Sequence, residues 1–194
     1  MNHPIGNLAH DLVKRYGVHD PFKIAEGLAT DWAATKGNKG LRIKVFVTDL
    51  GGLKGFCCII TDVFCIFINE NLSQEMKTMV CAHELGHCLL HTDNLQAGFK
   101  YSEYNLSLNL NRAEYEANAF TAFLLIDDSD MLDCLYSGWD FFETAKYLYI
   151  DVNYLAIRLM ECPPPELRID IPIDMTSSFL KYIDNGSDSI SIDD

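Results

Sequence analysis

Residues 83–87 read His83-Glu84-Leu85-Gly86-His87. Histidines four apart stand about 400° around a helix, so both imidazoles leave nearly the same face. That spacing lets two nitrogens meet one Zn2+ at about 2.0–2.1 Å each. Glu84 lies at a neighbouring azimuth, near enough to act on an attacking water without binding the ion. The implied chemistry is zinc-assisted hydrolysis, of peptides above all. A string this short also recurs by chance, and two solvated histidines on a helix are the plain alternative.

A catalytic zinc takes three protein ligands and keeps one open position. His91 continues the same helix face, but its Cα lies about 12 Å along the axis from that of His83. One straight helix does not bring three turns to a single ion. A related pattern places its third histidine six residues after the second, beyond a glycine turn; here the gap is four without that glycine. Packing or a cleft role suits His91 better. Cys88 follows His87 directly, about 100° away in azimuth, which disfavours it as a ligand. Glu114 is the better third ligand. Glu114 and Asn118 are four apart on one face of a second helical segment, beside a buried side marked by Ala113, Ala117, Phe120, Thr121, Leu124 and Leu125. From there Asn118 can hydrogen-bond a ligating histidine. Glu116 remains the alternative, although its position about 200° from Glu114 should point it away.

The elements that must hold these residues follow from pattern. Residues 73–90 read as a helix capped by Ser73, with Met76, Met79, Val80 and Cys81 as apolar positions. Gly86 inside it costs roughly 1 kcal/mol against Ala, which is consistent with close approach of another backbone. Residues 111–126 read as the second strong helix. Upstream, Ile5, Leu8, Ala9, Leu12 and Tyr16 mark a helix ended by Gly17, and Asp20-Pro21 starts another. Residues 41–47 alternate as a strand. Residues 53–60 and 63–69 form two more, joined at Thr61-Asp62. The expected sheet is small, three-stranded and antiparallel. Residues 92–110 read as a loop; Ser129 or Asp130 should cap a short helix at 131–137; 140–148 and 151–161 read as amphipathic helices ended by Pro163-Pro164-Pro165. The expected class is α+β. The expected organisation is one domain over 1–162, with 140–162 as its C-terminal helices, and a Pro-bounded extension over 163–194, frayed from about 184.

The formal net charge is −13, which disfavours direct nucleic-acid binding; an acidic surface can steer toward a basic protein partner, but solubility alone is the more ordinary reading of such a charge. The seven cysteines are odd in number, contain no Cys-x-x-Cys and lie mostly in apolar runs, so reduced buried thiols are expected rather than a disulfide framework. The N-terminal residues are polar and broken by Pro4 and Gly6, without a secretory apolar run. No apolar run reaches membrane-spanning length. A soluble, cytoplasmic protein that does not bind membranes is expected.

Four blocks resemble the ImmA/IrrE family of zinc metallopeptidases of bacteria, mobile elements and phages. They are Leu12–Gly17 with Asp20–Glu26; Leu53–Phe56 with Ile66–Asn69; Ala82–His91; and Glu114–Leu125. The last two, in this order and spacing, are the specific ones. The resemblance implies metal binding by His83, His87 and Glu114, catalysis by Glu84 and one catalytic Zn2+. It also implies a protein substrate, a helix-turn-helix repressor cut at one place. Ile126-Asp127 stands where the family often has Pro, which should alter the exit of that helix and not the metal site. The oxyanion-stabilising donor stays open among Tyr101, Tyr104, Tyr115 and His91. Two other functions are compatible with the same ligands: a zinc-binding partner that sequesters a repressor uncut, and a zinc aminopeptidase. An intact Glu84 disfavours the first of these.

Overall fold

The computed structural model describes residues 3–96, 108–164 and 171. Of the extension from 163, only residues 163, 164 and 171 fall within these, and the tail expected to fray lies outside them. The architecture is α+β, with eight helices and one three-stranded sheet among the described residues.

Helix α1 (Pro4–Tyr16) ends at Gly17, whose φ of 70° lets its N–H reach Val13 O. In α2 (Pro21–Ala34), Pro21 fills the first turn and the Asp20 carboxylate accepts from the N–H groups of Phe22 and Lys23. Three strands follow: β1 (Ile43–Thr48), β2 (Gly55–Ile60) and β3 (Val63–Asn69). Thr61 and Asp62 both take positive φ, 49° and 61°, which is the two-residue turn that matches strand twist.

The sheet differs from expectation in one pairing. Its order is β1-β3-β2; β2 and β3 are antiparallel, but β1 runs parallel to β3. The tight turn makes β2 and β3 a hairpin. The wider 49–54 connection leaves room for β3 to insert between β1 and β2. Alternation sets which face of a strand is buried and says nothing of its neighbour, so the fully antiparallel sheet is corrected to a mixed one.

Helix α3 (Gln74–Leu90) starts where Ser73 Oγ accepts from Met76 N at 3.2 Å. Every residue from Met79 to Cys88 is buried, because β2 and β3, α2 and α5 (Leu108–Leu125) all pack against this helix. A short α4 (Thr92–Gln96) stands where a loop was expected. Next come α6 (Asp128–Tyr136), α7 (Phe141–Tyr147) and α8 (Val152–Glu161). Asp127, not Ser129 or Asp130, caps α6: its carboxylate accepts from both of their N–H groups, at 2.8 and 3.2 Å. Helix α7 carries a capping box between Asp140 and Glu143. Helices α1 and α8 pack on α5, so α5 lies inside the helical layer. No helix among the described residues is long and apolar enough to cross a membrane.

The α3–α5 crossing is close-packed at Gly86. A Cβ added at Gly86 would lie 3.1 Å from Phe120 Cδ1 and 3.3 Å from Ala117 Cα. The expected close backbone approach is there, and Ala117 is the residue approached. Gly86→Leu is expected to lower stability by about 1–3 kcal/mol or more through overpacking, measured by denaturant unfolding of the metal-free protein. Unchanged stability would mean that the crossing can spread at no cost.

Candidate metal centre

Helix α3 supplies His83, Glu84 and His87, and α5 supplies Glu114 and Asn118. All five are buried. The ligand atoms of His83, His87 and Glu114 lie within 4.8 Å of one another. His83 Nε2 stands 3.1 Å from His87 Nε2 and 3.5 Å from Glu114 Oε2, and His87 Nε2 stands 3.8 Å from Glu114 Oε1. Tetrahedral ligands about 2.05 Å from zinc stand roughly 3.3 Å apart, so the spacings fit an ion of that size.

Proton placement supports the same fit. His83 Nδ1 lies 2.9 Å from Asn118 Oδ1. An amide oxygen only accepts, so Nδ1 carries the hydrogen and Nε2 of the neutral ring presents its lone pair. That lone pair meets the Glu114 carboxylate and the second imidazole in a buried space. Acceptors facing one another away from water are unfavourable unless a cation sits among them. Burial alone would lower the pKa of His83; the hydrogen bond and charge of Glu114, with the charge of Glu84, outweigh it and raise it. Either a proton or a metal ion answers the same demand.

Glu84 is not one of the three converging residues. Its Oε2 is buried and has no hydrogen-bond partner among the described residues. Burial is the main cause that raises its carboxyl above the ordinary range, opposed by the His83 charge and by hydrogen bonds from the Cys57 thiol and backbone. The space beside it depends on Gly55, since a Cβ there would approach Val80 Cγ1 to 2.4 Å and Glu84 Cγ to 3.8 Å. A buried carboxylate with one oxygen unpartnered, beside a cation-demanding pocket, is equipped to accept a proton from water.

The remaining candidates sort by contact. Cys88 hydrogen-bonds Cys57 and takes no part in the three-residue group. The hydroxyl of Tyr115 donates to Glu161, which leaves this tyrosine committed away from the pocket. Tyr101 and Tyr104 lie outside the described residues. His91 is not among the three either; its Nδ1 lies 3.1 Å from His87 Nδ1 and its Nε2 lies 3.0 Å from Glu116 Oε2. Glu116 stays outside the three-residue group, as its azimuth suggested, but it reaches His91. His91 sits at the C-cap of α3, off helical geometry with φ −124° and ψ 33°, and the two side chains meet across the crossing. Three histidines at successive helical turns were the available signal for this contact.

The sequence profile of the IrrE N-terminal-like domain family, Peptidase_M78, matches residues 39–160. This range contains both helices that bring His83, His87 and Glu114 together. The chain is also 40% identical over 63 residues to "Uncharacterized immunity region protein 2" of Bacillus phage phi105, a match covering 32% of this chain. It spans 38% of that relative's length.

Asn118→Ala is expected to weaken zinc binding by about 10–100-fold, the usual cost of losing a partner that orients a ligating histidine. Competition with a chromophoric chelator measures this. Unchanged affinity would show that Asn118 does not orient His83.

Proposed function

The chain belongs to the IrrE N-terminal-like domain family, Peptidase_M78, and from that premise we propose that it is a zinc-dependent endopeptidase making one site-specific cut in a helix-turn-helix transcriptional repressor. Its metal ligands would be His83, His87 and Glu114, its general base Glu84, and Asn118 the residue that orients His83. The observation that carries the reading is the buried convergence of two imidazole nitrogens and a carboxylate beside Glu84, whose Oε2 has no partner among the described residues.

When bound, zinc supplies Lewis-acid polarisation of the scissile carbonyl and acidifies a water molecule. Glu84 accepts the proton of the attacking water at its free oxygen and delivers it to the nitrogen of the leaving amine. Burial favours this role, because a carboxylate with a raised pKa both takes and returns a proton more readily near neutral pH. Asn118 holds His83 in the tautomer that keeps its lone pair toward the pocket. Glu114 contributes the negative charge that a buried divalent cation needs.

The repressor as substrate has more distant support. The phage relative is named for an immunity region, a regulatory setting that suits the repressor implied by the family resemblance. A net charge of −13 favours encounter with a basic DNA-binding protein.

The test incubates zinc-loaded protein and its Glu84→Gln variant with a helix-turn-helix repressor encoded beside it, and maps fragments by mass spectrometry. The expected result is a single cut by the native protein. Glu84→Gln should keep zinc and the fold yet cleave at least about 100-fold more slowly. Equal cleavage by the variant would remove Glu84 from the mechanism. A repressor recovered whole in a stoichiometric complex would replace the peptidase with a sequestering partner, and hydrolysis of free dipeptides without a cut in the repressor would point to an aminopeptidase.

A further inference from the structure

We propose that His91 is a positioning residue: held by Glu116, it accepts the Nδ1 hydrogen of His87 and so fixes that ring in the tautomer whose Nε2 faces the metal pocket. The inference rests on the reading of His83, His87 and Glu114 as a metal site. It assigns His91, Glu116 and Arg112 a role that the five-residue string does not contain.

Four groups stand in line. Arg112 Nε donates to Glu116 Oε1 at 2.8 Å, Glu116 Oε2 stands 3.0 Å from His91 Nε2, and His91 Nδ1 stands 3.1 Å from His87 Nδ1. His87 Nε2 then faces His83 Nε2 at 3.1 Å. The direction of the line is set at its far end. Glu116 receives the Arg112 guanidinium on Oε1, and a carboxylate paired with a guanidinium only accepts, on its second oxygen as on its first. The hydrogen on His91 is therefore at Nε2. In its neutral form His91 carries one N–H, so its Nδ1 is then the acceptor and the hydrogen between the two Nδ1 atoms belongs to His87. Its Nε2 is left as a lone pair.

The reversed arrangement shows what the line prevents. If His87 Nδ1 accepted, its hydrogen would sit on Nε2, aimed at His83 Nε2 and blocking the ligand position. His83 receives the same service from one amide, Asn118. For His87 the acceptor comes from one turn further along its own helix, and α5 reaches that acceptor through Glu116. Both orienting devices thus end on α5, two residues apart. A merely space-filling His91 would need neither ring nitrogen in register with these partners.

The first experiment needs no mutation. In zinc-loaded protein labelled with 15N at histidine, a coupling across the hydrogen bond between Nδ1 of His87 and Nδ1 of His91 is expected, with the hydrogen on His87. A hydrogen assigned to His87 Nε2, or no coupling in a well-resolved spectrum, overturns the proposal. The second experiment measures zinc affinity by chelator competition. His91→Ala is expected to lose about 10–100-fold, and His91→Gln, whose amide oxygen can accept, to recover most of that. Circular dichroism of each metal-free variant confirms folding. Native affinity in folded His91→Ala overturns the proposal, as does a glutamine variant no better than alanine. His87→Ala separates the two readings: if it keeps native zinc affinity the metal site itself fails, and if it alone loses zinc only the positioning role fails.

Discussion

Three acceptors facing one another in a buried space constrain everything else in this protein. Two imidazole lone pairs and a carboxylate repel unless a cation stands among them, and without water little screens the repulsion. They can be held only if the helices bearing them cannot drift apart. Helices α3 and α5 cross with Gly86 against Ala117, and this small-residue contact sets the distance across the pocket. The opposite side of α3 is closed by β2 and β3, and α5 is backed by α1 and α8. The sheet and outer helices thus press together two helices whose polar groups would otherwise favour separation.

The polar interior is asymmetric in a way that divides labour. Helix α3 contributes the groups that would touch ion and water. Helix α5 contributes the residues that would set the hydrogens of the histidines, Asn118 beside His83 and Glu116 beside His91. An error in one hydrogen position would turn a ligand nitrogen into a blocked donor, so a network with each member partnered is also a specification of tautomer. The Oε2 atom of Glu84 departs from this satisfaction. A buried carboxylate oxygen without a partner costs on the order of 1–3 kcal/mol or more, and local violations of this kind are expected where a protein does chemistry.

Reading residues in order recovers what is local and loses what depends on a crossing. The cap at Ser73, the Thr61-Asp62 turn and the helix bearing Glu114 each follow from a few neighbouring side chains, and each is present. The parallel pairing of β1 is not legible, because strand alternation carries no information about order or direction. Asp127 displaced Ser129 and Asp130 as a cap because in a run of four polar residues several can accept, and the path of the chain leaving α5 chooses among them. Glu116 ranks below Glu114 as a ligand and stays outside the three-residue group, but its contact with His91 is not legible from azimuth. Azimuth describes one straight helix, whereas its partner His91 hangs from a helix end that has left helical geometry.

That same departure bears on whether the centre would do chemistry or only hold an ion. A structural zinc site closes all four positions with protein ligands, and a catalytic one leaves one open. Two further residues stand near enough in sequence to close it, and both are engaged elsewhere. The thiol of Cys88 turns to Cys57, while the imidazole of His91 is held between His87 and Glu116. On the proposed reading, the residues that would complete a closed shell are those that the surrounding network diverts. The open position would then lie beside Glu84, whose buried Oε2 has no hydrogen-bond partner among the described residues. Affinity would be sacrificed for access, the trade that separates a hydrolytic metal centre from a structural one.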